Sequence, residues 1–402
     1  MARLRRPEHA AFPPQPALEF FGQSHAFPVH AITVSEANPA QLVPYVTGGA
    51  FALAFIFGAV GNKTHFCTMG AVSDWVNMGD TSRMRMWLLA IAVALLGSSA
   101  LQLAGVVDLS KSIYPGAKFT WLSYIVGGFL FGVGMTLGSG CGSKTLIRIG
   151  AGNLKSLVVY VFLGVAAYMT LRGLFGALRV GVLEKASMTL ASGQDLPSLL
   201  AAATGTAKAT WTAIVAAVVG GALVVVAYAG KDFRASFDYT LGGVVTGLVV
   251  AGGWTVSGVL GYVAEDPNTL QEAFVATNTG RMESFSFVSP MAYTLEYLML
   301  WTDKSKIVTY GIASALGVIA GSAAYALATG SFRWEGFRDA EDTANHVVGG
   351  ILMGFGGITA MGCTVGQAIT GISTLALGSI MTFIAIVVGS ALTMKYQYWR
   401  SS

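Results

Sequence analysis

Five long apolar runs punctuate the chain, at roughly 87–107, 155–180, 209–229, 307–328 and 373–394, each bounded by polar residues and mostly free of charge. About 20 predominantly apolar residues suffice for a helix to cross the hydrocarbon core of a bilayer. Each run therefore predicts a full membrane span, the second interrupted by Arg172 and Arg179. Four further apolar stretches, about 45–61, 119–138, 239–253 and 346–361, are too short or too rich in glycine to be ordinary spans. Each runs into a turn of small residues and then into a second short apolar segment. That pattern predicts short helices paired across a turn inside the membrane.

The four stretches are related to one another. With Cys141 aligned to Cys363, an offset of 222, Val126, Gly127, Gly128, Leu130, Gly132, Gly134, Gly140 and Cys141 fall on Val348, Gly349, Gly350, Leu352, Gly354, Gly356, Gly362 and Cys363. Gly242, Gly243 and Gly247 repeat the GGxxxG frame in a third copy, with Val256 at the cysteine position. Ala54 and Gly58 give a looser first copy ending at Cys67. Small residues at this spacing let membrane helices approach closely, and close packing is one role of the frame. It does not account for a frame that ends in cysteine followed by a polar turn. Duplicated halves with glycine-interrupted helices are the pattern of a transporter or channel whose site lies near the bilayer midplane. Irregular backbone at that depth must be buried in protein or line an aqueous cavity. The expected fold is an all-α polytopic membrane protein with two pseudo-symmetric, inverted halves, whose paired short or re-entrant helices meet near the midplane.

Composition agrees. Of 402 residues, 54% are hydrophobic and 11% charged, with a mean hydropathy of +0.62. A soluble domain carries roughly 25% charged residues, so a soluble enzyme, a nucleic-acid binder and a disordered scaffold are excluded. The net charge of +4 suits loops facing anionic headgroups and leaves no nucleic-acid footprint. Residues 1–43 read as a polar extension broken by Pro7, Pro13, Pro14, Pro16 and Pro28. No apolar core follows the basic start, so a cleaved signal is not expected. Arg3, Arg5 and Arg6 predict a cytoplasmic N-terminus. The single transmembrane domain is expected over 44–395, its halves at about 44–185 and 205–395, with a tail at 396–402.

Chemistry is concentrated in three turns: His65-Phe66-Cys67-Thr68-Met69-Gly70, Gly138-Ser139-Gly140-Cys141-Gly142-Ser143-Lys144-Thr145 and Met361-Gly362-Cys363-Thr364-Val365-Gly366-Gln367. In each, a cysteine ends one helix and small or hydroxyl residues begin the next. Helix N-termini there would present free N–H groups and partial positive charge to an anion. Lys144 and Arg148 would add charge if they face the cavity. Taken singly, each cysteine reads as a small buried hydrophobe; three at matching positions of a repeat read as a site. The odd count argues against a disulfide framework. Three cysteines plus His65 could supply four zinc ligands, yet no CxxC pair occurs, and no metal or cofactor is expected. His9, His25 and His30 read as solvated, and His346 as an interfacial or capping residue. Asp74 and Asp80 read as helix-end acids, with a salt bridge to Arg83 or Arg85 possible. No phosphate loop or dinucleotide fingerprint is present. The glycine-rich turn at 138–142 lacks the α/β context of a nucleophile elbow.

These turns resemble the motifs of the YeeE/YedE membrane proteins, and the resemblance covers roughly residues 45–395. It implies an all-helical pseudo-symmetric monomer with an hourglass profile in a bacterial inner membrane. It implies import of thiosulfate for sulfur assimilation, or handling of related sulfur or selenium species, without enzymatic chemistry. The three motif cysteines are implied to contact the substrate in turn, and match Cys67, Cys141 and Cys363 here. Gly140, Gly142, Ser143, Lys144, Gly362, Thr364, Gly366 and Gln367 are the accompanying candidates. The expected partners are a small inorganic sulfur anion, the lipid bilayer and a cytosolic sulfur-carrier protein, with no nucleic acid. Thiosulfate has one soft sulfur and three hard oxygens. Oxygens suit backbone N–H groups and hydroxyls such as Ser143 and Thr364, and a thiol offers a weak donor to the sulfur end. A thiolate would repel the dianion, so neutral thiols are expected. Two alternatives are a membrane sulfur-transfer protein forming cysteine persulfides, and a permease for a selenium compound.

Overall fold

The computed structural model describes residues 39–401 apart from Asn268. The described chain is nearly all helical: α1 Pro39–Lys63, α2 Thr68–Ser73, α3 Ser82–Leu103, α4 Trp121–Leu137, α5 Gly142–Gly150, α6 Leu154–Arg172, α7 Leu174–Leu178, α8 Leu196–Thr204, α9 Lys208–Tyr228, α10 Lys231–Ala235, α11 Phe237–Thr255, α12 Ser289–Met299, α13 Tyr310–Ala328, α14 Ala340–Thr359 and α15 Leu377–Ser401. Two antiparallel pairs of two-residue strands, Lys118–Phe119 with Met188–Thr189 and Tyr262–Val263 with Ala273–Phe274, tie loops together. Among the described residues, nine segments are long and apolar enough to cross a membrane; they contain α1, α3, α4, α6, α9, α11, α13, α14 and α15. The protein is a polytopic membrane protein.

Glycine decides which helices meet. A Cβ at Gly321 would lie 1.9 Å from the Phe55 carbonyl, and one at Gly58 2.2 Å from that of Val318, so α1 and α13 touch backbone to backbone. Gly132 does the same for α4 against α15 at Ile386, and Gly354 for α14 against α6 at Leu163. In the α4–α14 contact, Gly127 faces the Gly356 carbonyl and Gly134 that of Gly349. Close approach replaces the hydrophobic driving force that lipid removes. The long helices thus pair α1 with α13, α3 with α11, α4 with α15 and α6 with α14. Buried aromatics fill the centre: Phe66 stacks on Trp87 with centroids 4.5 Å apart, and Phe57 on Phe287 at 5.7 Å.

The boundaries differ from expectation in four places. Helix α1 has 25 residues and begins at Pro39, inside the stretch read as extension; Pro44 is accommodated near its start, where few intrahelical bonds depend on it. At the other end α15 runs to Ser401, so residues 396–401 continue the helix. The apolar run at 155–180 breaks at Gly173. Most consequential, the third glycine unit does not turn at its cysteine position. Helix α11 passes through Val256 into a π-helical stretch, Val256–Leu260, because valine supplies no side-chain cap for a new helix. Arg3, Arg5, Arg6, His9, His25 and His30 lie outside the described residues.

Candidate functional site

The three cysteine turns are built alike. His65, Ser139 and Met361, each two residues before a cysteine, adopt left-handed backbone with φ of 51°, 56° and 62°. The next amide in each reaches back five residues, Phe66 to the Gly61 carbonyl at 3.0 Å, Gly140 to Met135 at 2.9 Å and Gly362 to Gly357 at 2.7 Å. A second bond closes behind it, from His65 to Asn62, Ser139 to Thr136 and Met361 to Ile358. This pair of bonds is the Schellman ending of a helix, with a non-glycine residue where glycine is usual. The cysteine then stands as the extended N-cap of the next helical segment: α2, α5, and a π-helical segment Thr364–Gly371. Cys67 Sγ accepts the Gly70 N–H at 3.4 Å, and Cys363 Sγ that of Gly366 at 3.3 Å. Two of the three helix starts therefore have an amide engaged by the cysteine itself, leaving fewer free N–H groups than expected.

These turns converge. The Cys67 and Cys141 side chains are neighbours. Ser143 Oγ lies 3.3 Å from Cys141 Sγ, and the Thr68 hydroxyl points at the same sulfur from 4.0 Å. The Thr364 hydroxyl also neighbours Cys141; it is buried and has no hydrogen-bond partner. Cys363, one residue earlier, accepts the Phe287 N–H at 3.3 Å and has Ser286 Oγ at 4.0 Å. All three thiols are free and buried.

The two ends of this row differ. Beside Cys67 and Cys141 stands Lys144, close enough to feel Arg83, Arg148 and both sulfurs. The Arg148 guanidinium donates to the Ser139 carbonyl at 2.9 Å, and Arg83 forks onto the buried Asp74, its Nη2 2.6 Å from Oδ1. His65 is exposed next to this basic group. Beyond Cys363 lies a cavity of about 270 Å³, whose wall includes Arg179, Glu283, Ser284, Ser286, Tyr310 and Met361. Glu283 Oε1 accepts the Asn278 and Thr279 amides at 3.1 and 2.9 Å and the Thr279 hydroxyl at 2.7 Å. Burial pushes the Glu283 carboxyl above its ordinary range, against the pull of those bonds.

Buried polar groups almost always find partners, so the exceptions here are informative. Among the described residues ten side-chain atoms are buried without one, and four of them, Thr364 Oγ1, Gln367 Oε1, Tyr310 Oη and Arg179 Nε, belong to residues of the cavity wall or of the third cysteine turn and the helical segment it opens. The candidate glycines make room for their neighbours. Gly366 seats Ser286, Gly142 the Phe287 carbonyl, Gly140 the Lys144 stem and Gly362 that of Gln367, whose amide donates to the Ala360 carbonyl.

Among the described residues, no group of three or more His, Cys, Asp or Glu could hold a metal ion. His346 is buried, its Nδ1 2.7 Å from the Asp342 carbonyl and 3.1 Å from that residue's carboxylate in the first turn of α14. Asp74 pairs with Arg83 as expected, while Asp80 accepts the Ser82 amide at 2.8 Å. Sequence reasoning missed Ser286, Phe287, Glu283 and Arg179. The alternation Ser284-Phe285-Ser286-Phe287 is a period-two signal for an extended segment and could have drawn attention to the first two.

The chain is 26% identical over 325 residues to the thiosulfate transporter TsuA of Escherichia coli, covering 78% of this chain and 84% of the relative. It is 24% identical over 349 residues to the thiosulfate transporter TsuA of Spirochaeta thermophila, covering 84% and 95%. The family described as "Sulphur transport" matches residues 63–392, most of the chain and all three cysteine turns. The protein belongs to that family, the YeeE/YedE membrane proteins.

Proposed function

We propose that the protein imports thiosulfate, or a closely related sulfur anion, across a bacterial inner membrane, as an intact anion and without enzymatic chemistry. The observation that carries the reading is the continuous line from the cavity through Ser286, Cys363, Thr364, Cys141 and Cys67 to Lys144, bordered by buried polar atoms that lack partners. A dianion resting there would have hydroxyls for its oxygens and neutral S–H groups for its terminal sulfur. Several weak sites in series let an ion pass without being trapped. Lys144 and its basic neighbours attract the anion toward the far end of the row.

The two halves are inverted copies in this reading, and the short helices α2, α5, α12 and Thr364–Gly371 are re-entrant. Reciprocal packing supports it. The 222 offset carries Gly127 to Gly349 and Gly134 to Gly356, and the contact of Gly127 with Gly356 is matched by that of Gly134 with Gly349. Likewise α1 on α13 is matched by α11 on α3.

Uptake of thiosulfate carrying separate labels on its two sulfurs, by proteoliposomes containing the purified protein, tests the proposal. The labels are expected inside together on one anion. Arrival of only one label would favour sulfur transfer, and no uptake would remove the reading.

A further inference from the structure

The third glycine unit has no cysteine turn. After α11 has run past Val256, the chain returns as an extended segment and enters α12. Its side chains alternate: Phe285 and Phe287 point into the aromatic core, Phe287 stacking on Phe57, while Ser284 and Ser286 line the cavity. The strand is pinned on both edges. Ser257 donates to the Glu283 carbonyl, Ser284 to Val250 at 2.8 Å, and Thr370 to the Phe285 carbonyl at 2.7 Å. Those bonds hold Ser286 between the open volume and Cys363 Sγ, 4.0 Å away. A Cβ at Gly366 would come within 2.5 Å of Ser286 Oγ, so the hydroxyl occupies a space that only glycine leaves.

We propose that Ser286 is a substrate-contacting residue, the one that passes an incoming oxyanion from the cavity to Cys363 and so stands in for the cysteine that the third unit lacks. The inference rests on the import reading above. Its physical basis is that Ser286 borders both the cavity and the first thiol, and that a hydroxyl can donate to an oxyanion while Cys363 is held by the Phe287 and Gly366 amides. A donor lost from an anion contact costs about tenfold in affinity or more.

The test uses full-length protein in proteoliposomes with labelled thiosulfate, and wild type must import first; if it does not, the import reading fails rather than this one. With wild type active, Ser286→Ala is expected to lose about tenfold in uptake at low thiosulfate. In Ser286→Cys, thiosulfate is expected to slow labelling of the new thiol by a membrane-impermeant methanethiosulfonate, while sulfate at equal concentration slows it less. Wild-type uptake by the alanine variant, or labelling of Ser286→Cys at one rate with and without thiosulfate, would overturn the proposal. The labelling readout does not depend on how well the alanine variant folds.

Discussion

Thr68 follows Cys67 in the first cysteine turn, yet its hydroxyl points at Cys141 Sγ of the second turn from 4.0 Å, which makes Cys67 and Cys141 neighbours. Two thiols so placed are open to oxidation by a small diffusible oxidant such as diamide, which would join them and remove both donors. Thiosulfate uptake is expected to fall on diamide treatment and to return with dithiothreitol. Cys67→Ser should make residual uptake insensitive to diamide. Equal sensitivity in that variant would show that the two sulfurs are not the target.

Asp74 and Arg83 form a two-point ion pair that ties the end of α2 to α3, with Asp74 buried. Removing one partner of a buried pair leaves the other charge uncompensated, at a cost of ~3 kcal/mol. Asp74→Ala should therefore lower the thermal midpoint in detergent by several degrees. The double variant Asp74→Ala with Arg83→Met should recover part of the loss, as read by the same melting assay.

Glu283 gives a pH signature. Burial raises its carboxyl pKa in the folded protein, so its neutral form is the one the fold favours. That contribution is complete below the ordinary glutamate value of about 4.3, and it is lost as pH rises through the elevated folded value. Glu283→Gln keeps an oxygen to accept the Asn278 and Thr279 amides and cannot ionise. Its melting midpoint should exceed that of wild type near neutral pH, with the gap closing toward about pH 4. A gap of constant size from acid to neutral pH would contradict this.

The α1–α13 contact is intolerant of any side chain at its closest point. A Cβ at Gly321 would lie 1.9 Å from the Phe55 carbonyl, and backbone has no rotamer with which to yield. Gly321→Ala is expected to cost about 1–3 kcal/mol by forcing the helices apart, measured by thermal or denaturant unfolding in detergent. Gly221, whose Cβ would meet nothing within 4 Å, is the control and should accept alanine at no loss.

Left-handed backbone before each cysteine gives a sharper local test. Ser139 sits at φ 56°, where a Cβ costs about 1–2 kcal/mol and a β-branched residue more. Ser139→Gly should preserve folding and uptake, whereas Ser139→Val should lose both stability and transport. Similar melting of the two variants would mean that the turn adjusts its conformation.

Much of this was legible in the chain. The 222 offset between Cys141 and Cys363 marked two matching turns, and the GGxxxG frames marked where helices touch, because close approach demands small residues at fixed spacing. Other features were not legible. That Cys67 meets Cys141 is a long-range contact that no local pattern carries. The uninterrupted α11 was hidden because its glycine frame is the same as that of the copies that turn; only the valine at 256 and the absence of a capping residue separate them. Ser286 and Arg179 belong to segments between the repeats, where periodicity says nothing about which cavity a side chain will face.

Along the proposed pathway, the segment bearing Ser284 and Ser286 makes the two ends unlike. One end has hydroxyls and the Glu283 carboxyl, and the other has Lys144 beside a pair of sulfurs. Blockade should therefore have a sidedness. A thiol-seeking mercurial arriving by way of Glu283 and the serines meets hard ligands before reaching Cys363, whereas from the opposite face it encounters soft ones at once. Inhibition applied to the two faces of oriented vesicles should differ in rate, and Ser286→Cys should narrow the difference.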